Sequence, residues 1–349
     1  MHIDQLETPA VMIDLDALEA NITRLQTYLD QHHIANRPHI KTHKIPAVAH
    51  KQIAAGAVGV TCQKLGEAEV MAEAGIQDIF LPYNLIGAAK LERLMTLARQ
   101  VTISVTADSE FVVRGLSEAA HHAGLTLTVL VECDTGMGRA GVQSPQAAAE
   151  LARLIARSPG LHFGGLMTYP NTERLDEFMR ETKRLLAVDG IPVERVSGGG
   201  TPYMWQAHTH PELTEHRAGE YVYGSRAHIK SGVMKPEDCS MRILATVVSR
   251  PTAERAILDS GSKTLSSDAP ALGGYGHIVE YPDANIYQLS EEHGHVDLSQ
   301  CKRKPEIGER VSIIPNHPCP VSNLFDEIYG VRDDIVEVTW PVAARGTVK

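Results

Sequence analysis

The chain has 349 residues and a formal net charge of −10; it lacks the basic face that a phosphate backbone demands, so nucleic acid is not an expected partner. With 43% hydrophobic and 22% charged residues it has the balance of an ordinary globular chain, long enough for one large domain and a smaller one, and no apolar run approaches the roughly 20 residues of a membrane span. Five scattered cysteines (Cys62, Cys133, Cys239, Cys301, Cys319) argue against a disulfide framework, and Met1-His2-Ile3-Asp4-Gln5 lacks the basic and apolar regions of a signal peptide, which together give a cytoplasmic expectation.

Leu6 to Ile13 is a short apolar run containing Pro9. Asp14 or Asp16 then caps a predicted helix through Asp30, with Leu18, Ile22, Leu25 and Leu29 on one face. Asn21-Ile22-Thr23 matches a glycosylation sequon, but it falls inside that helix and is set aside. Ala35 to Lys41 reads as a short strand. After it, strands over Val58 to Gln63, Asp78 to Tyr83, Val101 to Ala107, Leu125 to Cys133, His162 to Tyr169, Arg195 to Thr201 and Glu220 to Arg226 alternate with helical patterns. Eight strands joined by helical crossovers predict a parallel sheet closed as a (β/α)₈ barrel, with a doubly wound open sheet as the alternative. From Met241 the helical period fades. Met241 to Ser249, Arg255 to Asp259, Ile286 to Leu289, His295 to Leu298, Arg310 to Ile314 and Ile335 to Val342 read as strands between turns. The expected organisation is a barrel over residues 1–240 followed by an all-β domain over residues 241–349.

Several stretches carry chemistry. In Arg37-Pro38-His39-Ile40-Lys41-Thr42-His43-Lys44, Lys41 ends the first barrel strand. A lysine there projects into the barrel mouth, where desolvation lets it lose its proton and attack a carbonyl as a Schiff base. Ser197-Gly198-Gly199-Gly200-Thr201 ends strand seven, where barrels commonly hold a phosphate. Asp134-Thr135-Gly136-Met137-Gly138-Arg139-Ala140-Gly141 follows strand five and presents Arg139, a donor for a phenolate or carboxylate. Tyr169 ends strand six, and Tyr221 and Tyr223 lie in the predicted eighth strand; all three suit barrel filling, and Tyr169 and Tyr221 are also candidate neighbours of a bound cofactor. In the β domain, Pro315-Asn316-His317-Pro318-Cys319-Pro320 sets an imidazole and a thiolate two residues apart. On an extended chain both face one side, which suits a soft divalent metal. Glu291-Glu292-His293-Gly294-His295 is a second acid and imidazole cluster, either a source of a third ligand or a solvated turn. His208-Thr209-His210 has the same two readings, and Asp259-Ser260-Gly261-Ser262-Lys263 reads as a strand end and turn.

Together, and in this order along nearly the whole chain, these stretches resemble the metal-dependent D-threonine aldolase and D-serine dehydratase family, whose fold is that of alanine racemase. The resemblance implies pyridoxal 5'-phosphate as cofactor, carried on Lys41, with Arg139 at its phenolic oxygen, Gly199, Gly200 and Thr201 at its phosphate, and Tyr169 and Tyr221 lining cofactor or substrate. It implies a divalent metal (zinc, manganese or magnesium) on His317 and Cys319, with His317 counted among the catalytic residues beside Lys41, a small D-amino acid as substrate, and a homodimer. Pyridoxal phosphate acts as an electron sink for charge at Cα, and the metal acidifies the β-hydroxyl. Loss of the hydroxyl proton then leads to Cα–Cβ cleavage, giving glycine and an aldehyde. Loss of the Cα proton to Lys41 leads instead to dehydration, giving a 2-oxo acid and ammonia. Many aldolases of the family carry aspartate two residues after the metal histidine; here that position is Cys319, and in this the chain resembles the zinc-dependent dehydratases. The main expectation is an aldolase of the D-threonine type, with a dehydratase of D-serine or D-3-hydroxyaspartate as the alternative. A racemase is the third reading; it shares the barrel but needs an acid/base on each face of Cα and no metal.

Overall fold

The computed structural model describes residues 1–268 and 270–349. The chain divides into two compact units that interleave along the sequence. One comprises Met1–Thr23, Thr42–Ala47 and Glu220–Gly346, and the other Arg24–Lys41, Val48–Gly219 and Thr347–Lys349; the sequence reading places one boundary, at 240/241.

Strand β1 (Ala10–Asp14) leads into helix α1 (Leu15–Gln31). Strands and helices then alternate: β2 (Ala35–Asn36), α2 (Pro46–Ala54), β3 (Val60–Thr61), α3 (Leu65–Glu73), β4 (Asp78–Leu81), α4 (Ala88–Ala98), β5 (Thr102–Ala107) and α5 (Glu110–Ala123). They continue with β6 (Leu127–Cys133), α6 (Pro145–Arg157), β7 (Leu161–Thr168), α7 (Leu175–Ala187), β8 (Arg195–Gly199) and β9 (Glu215–Arg217). The helices begin and end where local chemistry says they should. Ser144 caps α6 by accepting the Ala147 N–H, with Pro145 in the first turn. Gly124 stops α5 in the left-handed conformation at φ 66°.

Strands β2 to β9 form one parallel sheet in the order β2-β9-β8-β7-β6-β5-β4-β3. Its two ends also meet. The Val58 N–H donates to Asn36 O at 2.9 Å, the Thr61 N–H to Pro38 O at 2.8 Å, and His39 pairs with Thr61 in a parallel bridge. The sheet is thus the closed eight-stranded barrel that the alternation predicts. Strands such as β6 are buried along almost their whole length, as expected where both faces of a parallel sheet are covered. Phe80, Leu130 and Met167, from β4, β6 and β7, pack together as a buried cluster.

Two strands differ from the sequence reading. The first ends at Asn36 rather than Lys41: Pro38 has no N–H to give a ladder, and Ile40–Thr42 turns as a short 3-10 helix. The eighth is Glu215–Arg217, not Glu220 to Arg226. The aromatic and β-branched Glu220-Tyr221-Val222 imitates a strand but folds as another 3-10 turn, so Tyr221 and Tyr223, both buried, lie outside the barrel sheet. The true strand is a charged tripeptide whose side chains find partners inside the barrel.

The remaining elements are α8 (Arg226–Lys230), β10 (Met241–Thr252), β11 (Arg255–Leu258), α9 (Ser262–Leu265), β12 (His277–Ile278), β13 (Asn285–Leu289) and β14 (Gly294–Asp297). They are followed by β15 (Arg310–Ile314), α10 (Pro318–Leu324), β16 (Glu327–Arg332) and β17 (Ile335–Pro341). The strands build a mostly antiparallel sheet with the path β13-β14-β11-β10-β1-β16-β17, and β15 pairs with β10 and β12. The N-terminal β1 sits inside it, antiparallel to β10 and parallel to β16. Among the described residues no helix is long and apolar enough to cross a membrane.

One ion network lies inside the barrel. The Arg37 Nε donates to Glu215 Oε2 at 2.7 Å and its Nη1 to Asp78 Oδ1 at 2.6 Å, while Arg195 Nη1 lies 3.4 Å from Glu215 and Ser197 Oγ donates to Glu215 Oε1 at 2.5 Å. The Arg37 and Glu215 side chains are 5% and 3% exposed. Burial raises the pKa of Glu215, but the charges of Arg37 and Arg195 win and hold it below the ordinary value of 4.5. Glu215→Gln leaves a buried arginine short of its counter-charge and is expected to lower the unfolding free energy by about 3 kcal/mol in urea titrations. A folded pKa below 4.5 means that the stabilisation is complete above that pH and is lost as pH falls through the folded value, so the gap between wild type and Glu215→Gln narrows below pH 4.5.

Candidate active site

Lys41, Arg139, Tyr169 and Thr201 all follow the carboxyl ends of parallel strands, namely β2, β6, β7 and β8. They therefore belong to the one rim of the barrel where such folds carry out chemistry. Lys41 is half-buried in the Ile40–Thr42 turn, and its N–H lies 3.4 Å from His39 Nδ1.

The loop after β6 is built around one carboxylate. The Asp134 Oδ1 accepts the N–H groups of Gly136, Met137 and Gly138 at 2.8, 2.8 and 3.2 Å. These bonds, led by that of Gly136, hold its pKa below the usual range against the opposing effect of burial. The wrap requires φ of +135° at Gly136 and +68° at Gly138, which glycine adopts freely. Arg139 follows, and its guanidinium lies over the Tyr169 ring at 5.3 Å from the centroid. Glu132, one strand position inward and buried, is pushed up to about 6 by desolvation; Arg139 and Arg217 pull it down, and Asp108 and Asp134 add to the rise. Arg217, on β9, is lowered to about 10 by burial and donates to Thr168 O at 3.0 Å and to Ser197 Oγ.

The glycine run at β8 does more packing than ligand presentation. The Gly199 N–H donates to Asn171 Oδ1 at 2.6 Å and the Gly200 N–H to Arg217 O at 2.9 Å, so neither is open to an anion. A Cβ on Gly198 would meet Asn171 Oδ1 at 2.2 Å, and one on Gly199 would meet Arg217 O at 2.5 Å. Thr201, which opens the 3-10 helix Thr201–Thr209, is the residue of the run with a hydroxyl to offer. Nearby in the chain, His216 is pushed down to about 3 by burial and stays neutral. Its Nδ1 faces Asn171 Nδ2 at 3.4 Å, and its Nε2 has no hydrogen-bond partner among the described residues. The barrel therefore offers an amine, a guanidinium, a phenol, a hydroxyl and a buried imidazole donor. That set fits a group carrying an aldehyde, a phenolic oxygen and a phosphate.

The His-x-Cys pair lies in the other unit, as does Tyr221. It is not on an extended strand as the sequence reading has it. His317 is the extended N-cap residue of α10, Pro318 starts the helix, and Cys319 sits in its first turn. A donor atom of Glu220 joins those of His317 and Cys319, all within 4.8 Å of one another. His317 Nε2 is 3.5 Å from Glu220 Oε1, and its Nδ1 bonds Asp268. Cys319 Sγ is 3.2 Å from Thr42 Oγ1. Nitrogen, sulfur and oxygen donors so placed fit a divalent ion. Glu220 carries no spacing signal that ties it to His317; only the fold brings them together. The other acid and imidazole clusters are engaged elsewhere. Lys263 pairs with Glu291 at 3.1 Å and Glu292 at 2.8 Å, His295 bonds Ser290, His208 bonds Tyr28, and His210 bonds Asp176. Asp259 accepts from the Thr246 N–H and the Thr8 hydroxyl.

Comparison with known proteins places this geometry. Residues 13–227 match the family model for the alanine racemase N-terminal domain, and residues 240–331 match one for a serine dehydratase domain. A D-threonine aldolase of Arthrobacter sp is 35% identical over 98% of this chain and 93% of its own. The crystal structure of D-threonine aldolase from Filomicrobium marinum superposes with a TM-score of 0.91 at 33% identity, covering 99% of this chain and 97% of that one. A D-threo-3-hydroxyaspartate dehydratase carrying a cysteine-to-alanine mutation, solved in the metal-free form, matches with a TM-score of 0.89 at 28% identity over 98% of both chains. The chain belongs to the alanine racemase-like family, to which it is matched over residues 13–227, with a serine dehydratase-type domain over residues 240–331.

Proposed function

We propose that this chain is a pyridoxal-phosphate- and divalent-metal-dependent lyase that cleaves D-3-hydroxy amino acids of the D-threonine type to glycine and an aldehyde. The observation that carries this reading is end-to-end similarity to D-threonine aldolases, over 98% of the chain in sequence and 99% in structure.

Lys41 is the amine that would hold the cofactor's aldehyde carbon. Arg139, steadied on Tyr169, sets a fixed positive charge for the phenolic oxygen. Gly199 and Gly200 let the chain approach the phosphate closely, and Thr201 supplies the hydroxyl that binds it. Tyr221 is assigned to the lining of cofactor or substrate. His317 and Cys319 are the metal ligands, and Asp268 fixes the imidazole so that Nε2 is the ligating nitrogen. When bound, pyridoxal phosphate supplies a sink for negative charge at the substrate Cα. A divalent ion supplies Lewis acidity for the β-hydroxyl. The protein works as a homodimer in the cytoplasm.

Cys319 favours a second reading. A thiolate selects zinc over magnesium or manganese, and a cysteine-to-alanine mutant of the dehydratase relative is described as metal-free. In that reading Lys41 takes the Cα proton, the hydroxyl leaves, and the products are a 2-oxo acid and ammonia.

Product analysis with D-threonine, pyridoxal phosphate and a divalent metal is expected to give glycine and acetaldehyde; 2-oxobutanoate with ammonia would establish the second reading, and neither product would remove small D-3-hydroxy amino acids from consideration. Borohydride reduction of the cofactor-loaded protein followed by peptide mapping should label Lys41, and a label on any other lysine overturns its assignment. Cys319→Ala should lower the bound-metal content measured by mass spectrometry at least about tenfold; unchanged content would make the thiol structural.

A further inference from the structure

The geometry points to Glu220 as a third protein ligand of the metal, an assignment that rests on the reading of His317 and Cys319 as its first two. Bonds of about 2.0–2.3 Å at tetrahedral angles set neighbouring donor atoms roughly 3.5 Å apart. The Glu220 Oε1 to His317 Nε2 separation is 3.5 Å, and the Cys319 sulfur lies within 4.8 Å of a ligating atom of each of the two residues. That is the spacing of donors around a shared ion, reached here by residues from two distant stretches of chain.

The surroundings support the same assignment. His317 and Glu220 each have an outer partner on the atom turned away from the cluster, and Cys319 has one at its sulfur. Asp268 takes His317 Nδ1, so Nε2 faces Glu220. Thr42 Oγ1 sits 3.2 Å from Cys319 Sγ. His228 Nε2 lies 3.8 Å from Glu220 Oε2, which leaves Oε1 for the cluster, and His228 is itself held by Ser225 Oγ at 3.0 Å. Ligands oriented by such outer contacts are the usual construction of a metal site. The competing account is an imidazolium at His317 shared by Asp268 and Glu220, which gives Cys319 no part.

Three ligands of nitrogen, sulfur and oxygen type suit zinc(II) and leave one position of a tetrahedron for a water molecule or a substrate hydroxyl. The test is a crystal structure of the wild-type protein loaded with zinc(II) alone, together with zinc dissociation constants from competition with a chromophoric chelator for wild type, Glu220→Gln and Cys319→Ala. The expected result is a zinc to Glu220 Oε1 distance of about 2 Å and affinity at least about tenfold weaker in Glu220→Gln. Zinc that sits on His317 and Cys319 with the Glu220 carboxylate beyond about 3 Å, or a Glu220→Gln variant that binds as wild type while Cys319→Ala does not, overturns the assignment of Glu220 alone. Wild-type protein that takes up no zinc overturns it together with the metal reading beneath it.

Discussion

The barrel depends on how it closes at its weakest seam. The strands that meet there, β2 and β3, are two residues each, too short for ladder hydrogen bonds alone to fix their register. Arg37, directly after β2, supplies what the ladder lacks. Its guanidinium reaches Glu215 on β9 to one side and Asp78 at the start of β4 to the other, and its carbonyl accepts the Thr61 hydroxyl of β3 at 3.0 Å. A planar guanidinium with several donors in fixed directions can do this where a lysine cannot. Lys41 comes four residues later, in the Ile40–Thr42 turn that follows this seam.

Burial sets the charges around that rim. Arg217 is drawn down to about 10 and Glu132 up to about 6, both because desolvation disfavours their charged forms. The imidazole of His216 is neutral for the same reason. Arg139 stands exposed on its loop, which is held in place by an Asp134 carboxylate that accepts backbone amides and a glutamine side chain.

Much of this was legible in the sequence. Buried parallel strands read as apolar runs, and β6 is such a run. The eighth strand was hidden because Glu215-His216-Arg217 looks like surface; its partners, Arg37 and Ser197, come from elsewhere in the chain. Composition names the donors of the His-x-Cys pair, but the backbone that carries them follows from Pro318, which starts a helix where an extended strand is expected. The glycine run reads as a phosphate position, and the hydrogen bonds show that the Gly199 amide goes to Asn171 and the Gly200 amide to a neighbouring strand. Glu220 had no local signal at all, because its meaning comes from the chain returning to it at residue 317.

The placement of β1 bears on how the molecule is made. Residues 10–14 are made before the barrel, yet their two neighbours in the sheet, β10 and β16, are synthesised after it. During translation this segment waits, with both of its hydrogen-bonding edges open, until the last strands emerge. Such long-range pairing is slow and leaves unpaired edges exposed meanwhile. A fragment starting at residue 241 would lack its central strand and present two raw edges. The C-terminal sheet is therefore not a detachable module. Its assembly waits for strands made after the barrel, and a strand made before the barrel is held for it.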